Sequence, residues 1–398
     1  MYFQTLDNKN ECIGVYFDGR LQDGDLPEDF NKTWSYASYL DDVDDKRILY
    51  ANLLCGGKTL EDACPSTLLE RWQEVSSRLK SYFRAFNEAK VDLNENCFFD
   101  LVPKRFLLDF CEMKNKITEH VFENYEIHEN YDFLLDLTRV IESIRSKKLN
   151  IEVSALKNKL HEFKARQWRE KIKNCSPYIS YDILGTKTGR LTTKKMGFPM
   201  LTFPKEYRSV LKPTNDWFIE LDFNAAELRT LLALSEQGQP KEDIHEWNAK
   251  NVYRDSTTRE EAKKRIFAWL YNPNSKDRLS EKIYDREKIK NKYYSDGLVT
   301  TMFNRKIESD EHHALNYIIQ STTSDLFLRR MIKVHEVFKD KKSFIAFCMH
   351  DSLVLDITND EKKEILKIKE IFSNTDLGKF KVNLTAGQSY GNMRELKI

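Results

Sequence analysis

Glycine and proline are scarce, at 13 and 9 of 398 residues, roughly half the usual ~7% and ~5%. That excludes a collagen-like or low-complexity chain, weakens a turn-rich all-β reading and favours helices. Cysteine occurs seven times, an odd number with no C-x-x-C pair. A disulfide scaffold or structural zinc site is therefore not expected, and a reducing compartment fits. No run approaches the ~18 apolar residues that a membrane span needs, and the start shows no basic region followed by an apolar run, so neither a membrane partner nor a signal peptide is expected. Charge of one sign is also lacking: 64 Lys and Arg oppose 63 Asp and Glu, a net +1. The total thus points to no partner. What remains is 40% hydrophobic and 32% charged, a folded chain expected in the cytoplasm and long enough for two or three domains.

Locally the charge is far from balanced. Residues 1–45 hold eleven acids (Asp7, Glu11, Asp18, Asp23, Asp25, Glu28, Asp29, Asp41, Asp42, Asp44, Asp45) against three bases, a net −8. Such a segment repels a phosphate backbone, although a solvated surface explains it equally well. Residues 181–213 reverse the sign, with seven bases against two acids. Helical periodicity runs through 66–89, 104–125 and 131–172. In the middle segment Leu107, Phe110, Ile117 and Val121 share a face, with the stem of Lys114 filling the gap. The latter two segments read as a helical arm. Residues 217–223 read as a strand, and 344–349 with 352–357 as a hairpin turning at His350 and Asp351. Residues 235–337 read mostly as helix.

Each strand unit ends in an aspartate, Asp222 and Asp351. Paired carboxylates on neighbouring strands suit hard divalent cations that clamp the two oxygens of a phosphoryl transfer. An aspartate at a strand end also serves as a turn or cap residue. Between them, Arg259, Lys263, Phe267 and Tyr271 recur every four residues. At 100° per residue they form a slowly winding helical stripe, with Ala262, Ile266 and Trp269 on an adjacent packing face. Two cations then two aromatics suit a nucleoside triphosphate; an ordinary amphipathic helix is the plainer alternative.

From about residue 181 onward the chain resembles family A DNA polymerases, the DNA polymerase I group. Thr188-Gly189-Arg190-Leu191-Thr192-Thr193 is similar to the family's TGRLSS block, and LDFNAAELR (221–229) to its DYSQIELR motif. The stripe reproduces its R-x-x-x-K-x-x-x-F-x-x-x-Y spacing, and Met349-His350-Asp351-Ser352 resembles VHDE. Asp243-Ile244-His245 and the Asn316/Gln320 pair are lesser matches.

The resemblance implies an α+β right-hand polymerase. A helical thumb would span 96–175, a palm on an antiparallel sheet 176–233 and 311–398, and helical fingers 234–310, after a small acidic region 1–95 of unknown role. Asp222 and Asp351, with the Phe223 carbonyl, would hold two Mg²⁺ ions, Mn²⁺ being a substitute. Lys263 would join the two aspartates in catalysis. Arg259, Lys263, Phe267, Tyr271, Glu227 and His245 would bind the dNTP; Arg190, Asn316, Gln320 and His350 would contact primer and template. The implied reaction is template-directed, primer-dependent DNA synthesis, with a separate exonuclease or processivity factor as a further partner. Glu227 with Tyr271 would exclude a ribose 2′-hydroxyl, which disfavours the related single-subunit RNA polymerases; a catalytically silent DNA-binding scaffold is the other alternative. Phe267 in place of tyrosine implies poor use of dideoxynucleotides.

Departures from the family pattern are Ser352 for a carboxylate, Ala268 and Asn272 for glycines, Ala225 for glutamine and His312 for arginine. The ~95 residues before the thumb are few for the family's proofreading domain. No intrinsic 3′→5′ exonuclease is expected, and a phage or mobile-element origin fits the short form.

Overall fold

The computed structural model describes residues 1–7, 12–23, 26–42, 47–93, 95–195, 197–253, 257–272 and 274–396. Glu11, Asp25, Asp44 and Asp45 of the acidic segment lie outside the described residues, as does the Cys12 side chain. The chain divides into two compact units, Met1–Glu142 and Ser143–Ile398.

In the first unit, β1 (Gln4–Asp7), β2 (Cys12–Phe17) and β3 (Arg20–Gln22) form an antiparallel meander. It is followed by α1 (Leu69–Glu88), α2 (Lys104–Asn124) and α3 (Tyr131–Arg145), the last crossing the unit boundary. The expected stripe of α2 is buried in full, Leu107, Phe110, Lys114, Ile117 and Val121 included. Each fully buried aliphatic side chain on it contributes about 1.5–3 kcal/mol. Gln4 ties β1 to this helix, its buried amide donating to Asn115 Oδ1 and Thr118 Oγ1, both at 3.0 Å. Instead of projecting as an arm, α2 is therefore part of a core.

The helix expected over 131–172 breaks after Arg145. Leu149 N–H donates to the Pro177 carbonyl, and β4 (Asn150–Ile151) pairs antiparallel with β5 (Leu211–Lys212). Pairing partners some sixty residues downstream win over local periodicity here. Helix resumes as α4 (Phe163–Asn174).

The second unit continues with β6 (Trp217–Phe223), α5 (Ala226–Leu234), α6 (Ile244–Asn248), α7 (Arg259–Tyr271), α8 (Arg278–Tyr284) and α9 (Arg286–Tyr293). A small sheet follows within the segment expected to be mostly helical: β7 (Tyr294–Ser295), β8 (Leu298–Thr300) and β9 (Lys306–Glu308). Its first turn is Asp296-Gly297, both at positive φ, the pair that a tight hairpin favours. Then come α10 (Glu311–Val337), β10 (Phe344–Met349), β11 (Ser352–Ile357), α11 (Glu364–Ser373), β12 (Val382–Gly387) and β13 (Arg394–Glu395). The expected strand and hairpin are found with the expected bounds.

The main sheet has the order β10-β11-β6-β12-β13, and every pairing is antiparallel. Strand alternation gives β6 two faces. On one, Phe223 stacks on Phe372 of α11, centroids 4.3 Å apart. The other carries Phe218, which meets Phe347 of β10 edge-on, and also Glu220 and Asp222. Ala262, Ile266 and Trp269 of α7 are buried in a second core with Ile244, Tyr284, Val299, Ile307 and Ile318. Cys55, Cys64, Cys97, Cys111, Cys175 and Cys348 are free thiols. Among the described residues no helix is long and apolar enough to cross a membrane.

Candidate active site

The two aspartates meet because β6 and β11 are neighbours. Asp222 stands opposite Ser352, the residue after Asp351, and on its other side opposite Asn383 of β12. Asp351 lies in the β10–β11 turn, which His350 enters at a φ of 57°. Burial, and then the Asp351 charge, push the Asp222 carboxyl up to about 7, against the opposing pull of Asn383. Asp351 is raised by burial too; its own backbone N–H opposes the rise and Glu227 adds to it. Two carboxylates that are costly to ionise side by side gain from a cation between them, so these residues fit divalent metal. Among the described residues no third His, Cys, Asp or Glu joins them as a ligand group. Phe223, whose backbone ends the strand beside Asp222, has its ring packed away against Phe372 and Phe380.

A cavity of about 540 Å³ is lined by Asp351 of this pair, together with Arg190, Glu227, Tyr271 and His350, with Thr323 and Phe327 at its wall. Glu227, in the first turn of α5, accepts from the Tyr271 hydroxyl and from Arg190 Nη2. Burial, then the Glu227 contact, holds the Tyr271 hydroxyl well above its usual pKa. The two residues of the implied sugar gate thus touch, and Arg190 caps the contact.

The stripe on α7 is real and ordered. Thr258 starts the helix with a capping box to Glu261. Phe267 and Tyr271 stack with centroids 5.9 Å apart at 14°. Lys263 is exposed and makes no hydrogen bond or ion pair with another described residue. Arg259 is held in a fork by Asp243, Nε to Oδ1 at 3.1 Å and Nη2 to Oδ2 at 2.9 Å. Burial works to raise the Asp243 carboxyl, but Arg259, Asn224 and the Glu246 N–H outweigh it and hold it well below the carboxylate range. His245 is buried, its ring 5.6 Å from that of Phe267 and its Nδ1 without a hydrogen-bond partner among the described residues. Burial lowers its pKa, so the ring is neutral at pH 7.

Asn316 and Gln320 are half-buried on α10. Asn316 lines a different cleft of about 490 Å³, with His312, Arg286 and Lys290. The structure therefore gathers Arg190, Glu227, Tyr271, His350 and Asp351 around one cavity, whose lining does not include Asp222, His245, Arg259, Lys263, Phe267, Asn316 or Gln320.

Sequence reasoning missed the residues that brace these groups. Arg229, fully buried, donates to the Asn224, Pro240 and Glu242 carbonyls, each at 2.8 Å. Asn224 accepts from Ile244 N–H at 3.0 Å and donates to Asp243 at 2.8 Å, joining the end of β6 to α6 and so to Arg259. Gly189 has φ +75°, and a Cβ there would lie 2.5 Å from Arg305 Nη2. Arg305 forks onto buried Asp325 at 2.6 and 3.0 Å. The glycine of the T-G-R block lets that guanidinium pass.

Parts of the chain are similar to known proteins. Residues 275–394 match the family model "DNA polymerase family A". DNA polymerase I of Borreliella burgdorferi is 25% identical over 267 residues, 52% of this chain and 29% of that protein. DNA polymerase I of Chloroflexus aurantiacus is 26% identical over 280 residues, 56% and 29% respectively. The chain's matches thus span less than a third of these relatives. Among solved structures, the POL domain of Pol1 from M. smegmatis, in complex with DNA primer-template and dNTP, superposes with a TM-score of 0.65 at 12% identity. That match covers 90% of this chain and 86% of the other. The fold is that of a right-hand polymerase with palm, fingers and thumb. Within it, residues 275–394 are similar to family A DNA polymerases.

Proposed function

We propose that this chain is a template-directed, primer-dependent DNA polymerase that extends a primer 3′-hydroxyl with dNTPs and releases pyrophosphate. The observation that carries the proposal is the pairing of Asp222 with Asp351 beside a cavity whose wall includes the Glu227–Tyr271 contact. Two Mg²⁺ ions, when bound, would neutralise phosphate charge and activate the attacking oxygen. Asp222 and Asp351, with the Phe223 carbonyl, would hold them. Lys263, exposed and with no ion-pair partner among the described residues, and Arg259 would receive the triphosphate, Lys263 offering a proton to the leaving pyrophosphate. Phe267 and Tyr271 would stack at the base and sugar, and Arg190, Asn316, Gln320 and His350 would follow primer and template. His245 would act at a phosphate, although its ring is buried in this structure, 5.6 Å from that of Phe267.

The proposed division is a thumb over 96–175, a palm over 176–233 and 311–398, and fingers over 234–310. The five-stranded sheet drawn from both palm segments supports it. A separate exonuclease or processivity factor as a further partner rests on the sequence expectation alone. The cytoplasmic, phage or mobile-element setting rests on the sequence expectation alone.

The test is primer extension by the purified chain with dNTPs and with rNTPs, beside Asp222→Asn and Asp351→Asn. Extension with dNTPs that both variants abolish is expected. No extension by the wild type would favour a silent scaffold, and equal use of rNTPs would favour an RNA polymerase.

A further inference from the structure

Ser352 stands where the resemblance expects a carboxylate directly after the second aspartate, and its hydroxyl has another use. Ser352 Oγ donates to Glu220 Oε1 at 3.0 Å. The same carboxylate accepts from the Tyr390 hydroxyl and from Thr385 Oγ1, each at 3.2 Å. Ser352 Oγ is also 3.1 Å from the Met349 carbonyl, but an ionised carboxylate is the stronger acceptor for its single proton.

Glu220 precedes Asp222 by two residues on β6, so both project from the same face of the sheet. The register sets Glu220 opposite Val354 and Thr385, and Asp222 opposite Ser352 and Asn383. Hydroxyls hold a carboxylate in place without cancelling its charge. No described Lys, Arg or His forms an ion pair with Glu220; the Arg208 guanidinium reaches the group only through Tyr390, 5.0 Å from that ring's centroid. Ser352 is the first residue of β11 and follows the turn that carries Asp351. A bond from its side chain to the neighbouring strand fixes where that turn ends and hence where Asp351 points.

We propose that Glu220 is a positioning residue of this active centre. From the first aspartate strand it supplies the carboxylate that position 352 lacks, aims Asp351 through Ser352, and keeps a fixed negative charge beside the aspartate pair. It acts from behind the pair and not as a ligand. The inference rests on the polymerase reading of the site.

Mn²⁺ binding to the purified full chain, followed by electron paramagnetic resonance without nucleotide, tests it. Glu220→Gln, isosteric and still able to accept from Ser352, keeps the tie and removes the charge; Glu220→Ser removes both. Each should weaken Mn²⁺ binding by about tenfold, the usual effect of losing a partner behind a metal ligand. Glu220→Ser combined with Ser352→Glu should recover most of the loss. Unchanged Mn²⁺ affinity in both single variants overturns the proposal, even if their melting temperatures fall, since that is what a purely structural role would give. A double variant no better than Glu220→Ser also overturns it. If Glu220→Ser fails to fold, Glu220→Gln carries the test. Primer extension by the wild type, run in parallel, separates the two ideas: extension with Glu220-independent Mn²⁺ binding sinks only the role of Glu220, whereas no extension sinks the polymerase reading.

Discussion

Replacing Asp222 by asparagine should make the metal-free protein more stable at pH 8 while it destroys the metal pair. The Asp222 carboxyl is raised from 3.8 to about 7, by burial first and by Asp351 second. Between those values the folded state binds a proton that the unfolded state does not, so stability falls as pH rises through that window. Above pH 7 the cost of the ionised, repelled carboxylate is complete. At about 1.4 kcal/mol per tenfold change in proton affinity, the ceiling is about 4 kcal/mol. Solvent reaches this half-buried group and relieves part of the cost, which leaves about 1–2 kcal/mol. An isosteric amide carries no charge and escapes the penalty. Urea denaturation without divalent metal at pH 4.5 and pH 8 should therefore show Asp222→Asn gaining on the wild type as pH rises. Added Mg²⁺ should stabilise the wild type and leave the variant unmoved. A variant less stable than wild type at pH 8, or a gap that ignores pH, would refute the reasoning.

Other expectations follow from named contacts. Glu227→Ala removes the acceptor shared by Tyr271 and Arg190, so discrimination against ribonucleotides should drop by at least about tenfold, or ~1.4 kcal/mol, in single-nucleotide incorporation; unchanged discrimination would sink the gate. Phe267→Tyr should raise dideoxynucleotide use in a chain-termination assay, and an unaltered terminator ratio would count against the assigned register of the stripe. Gly189→Ala pairs a strained φ with a Cβ 2.5 Å from Arg305 and should cost about 1–3 kcal/mol by thermal unfolding. A neutral effect there would mean that Arg305 moves freely off Asp325.

Much of the main sheet was legible because its strands are short and rich in aliphatic and aromatic residues, as in 217–223 and the 344–357 hairpin. The stripe on α7 was legible because four chemically distinct side chains repeat at helical spacing. Other features depended on distant partners. The break at Arg145 comes from pairing with Leu211 and Lys212, which no window around 131–172 contains. The β7–β9 sheet did have a local signal in Asp296-Gly297, overlooked beside the flanking helices. Arg259 read as a cation for the triphosphate, and an aspartate 16 residues earlier holds it. The bond between Glu220 and Ser352 spans 132 residues and exists only once β6 and β11 lie side by side.

The most direct measurement is single-nucleotide incorporation on primer–templates that differ only in the first unpaired template base, with purified protein and Mg²⁺. The account predicts that each template directs addition of its complementary dNTP, and that Asp351→Asn abolishes addition on all four. Addition without regard to the template, or full activity in Asp351→Asn, would contradict it.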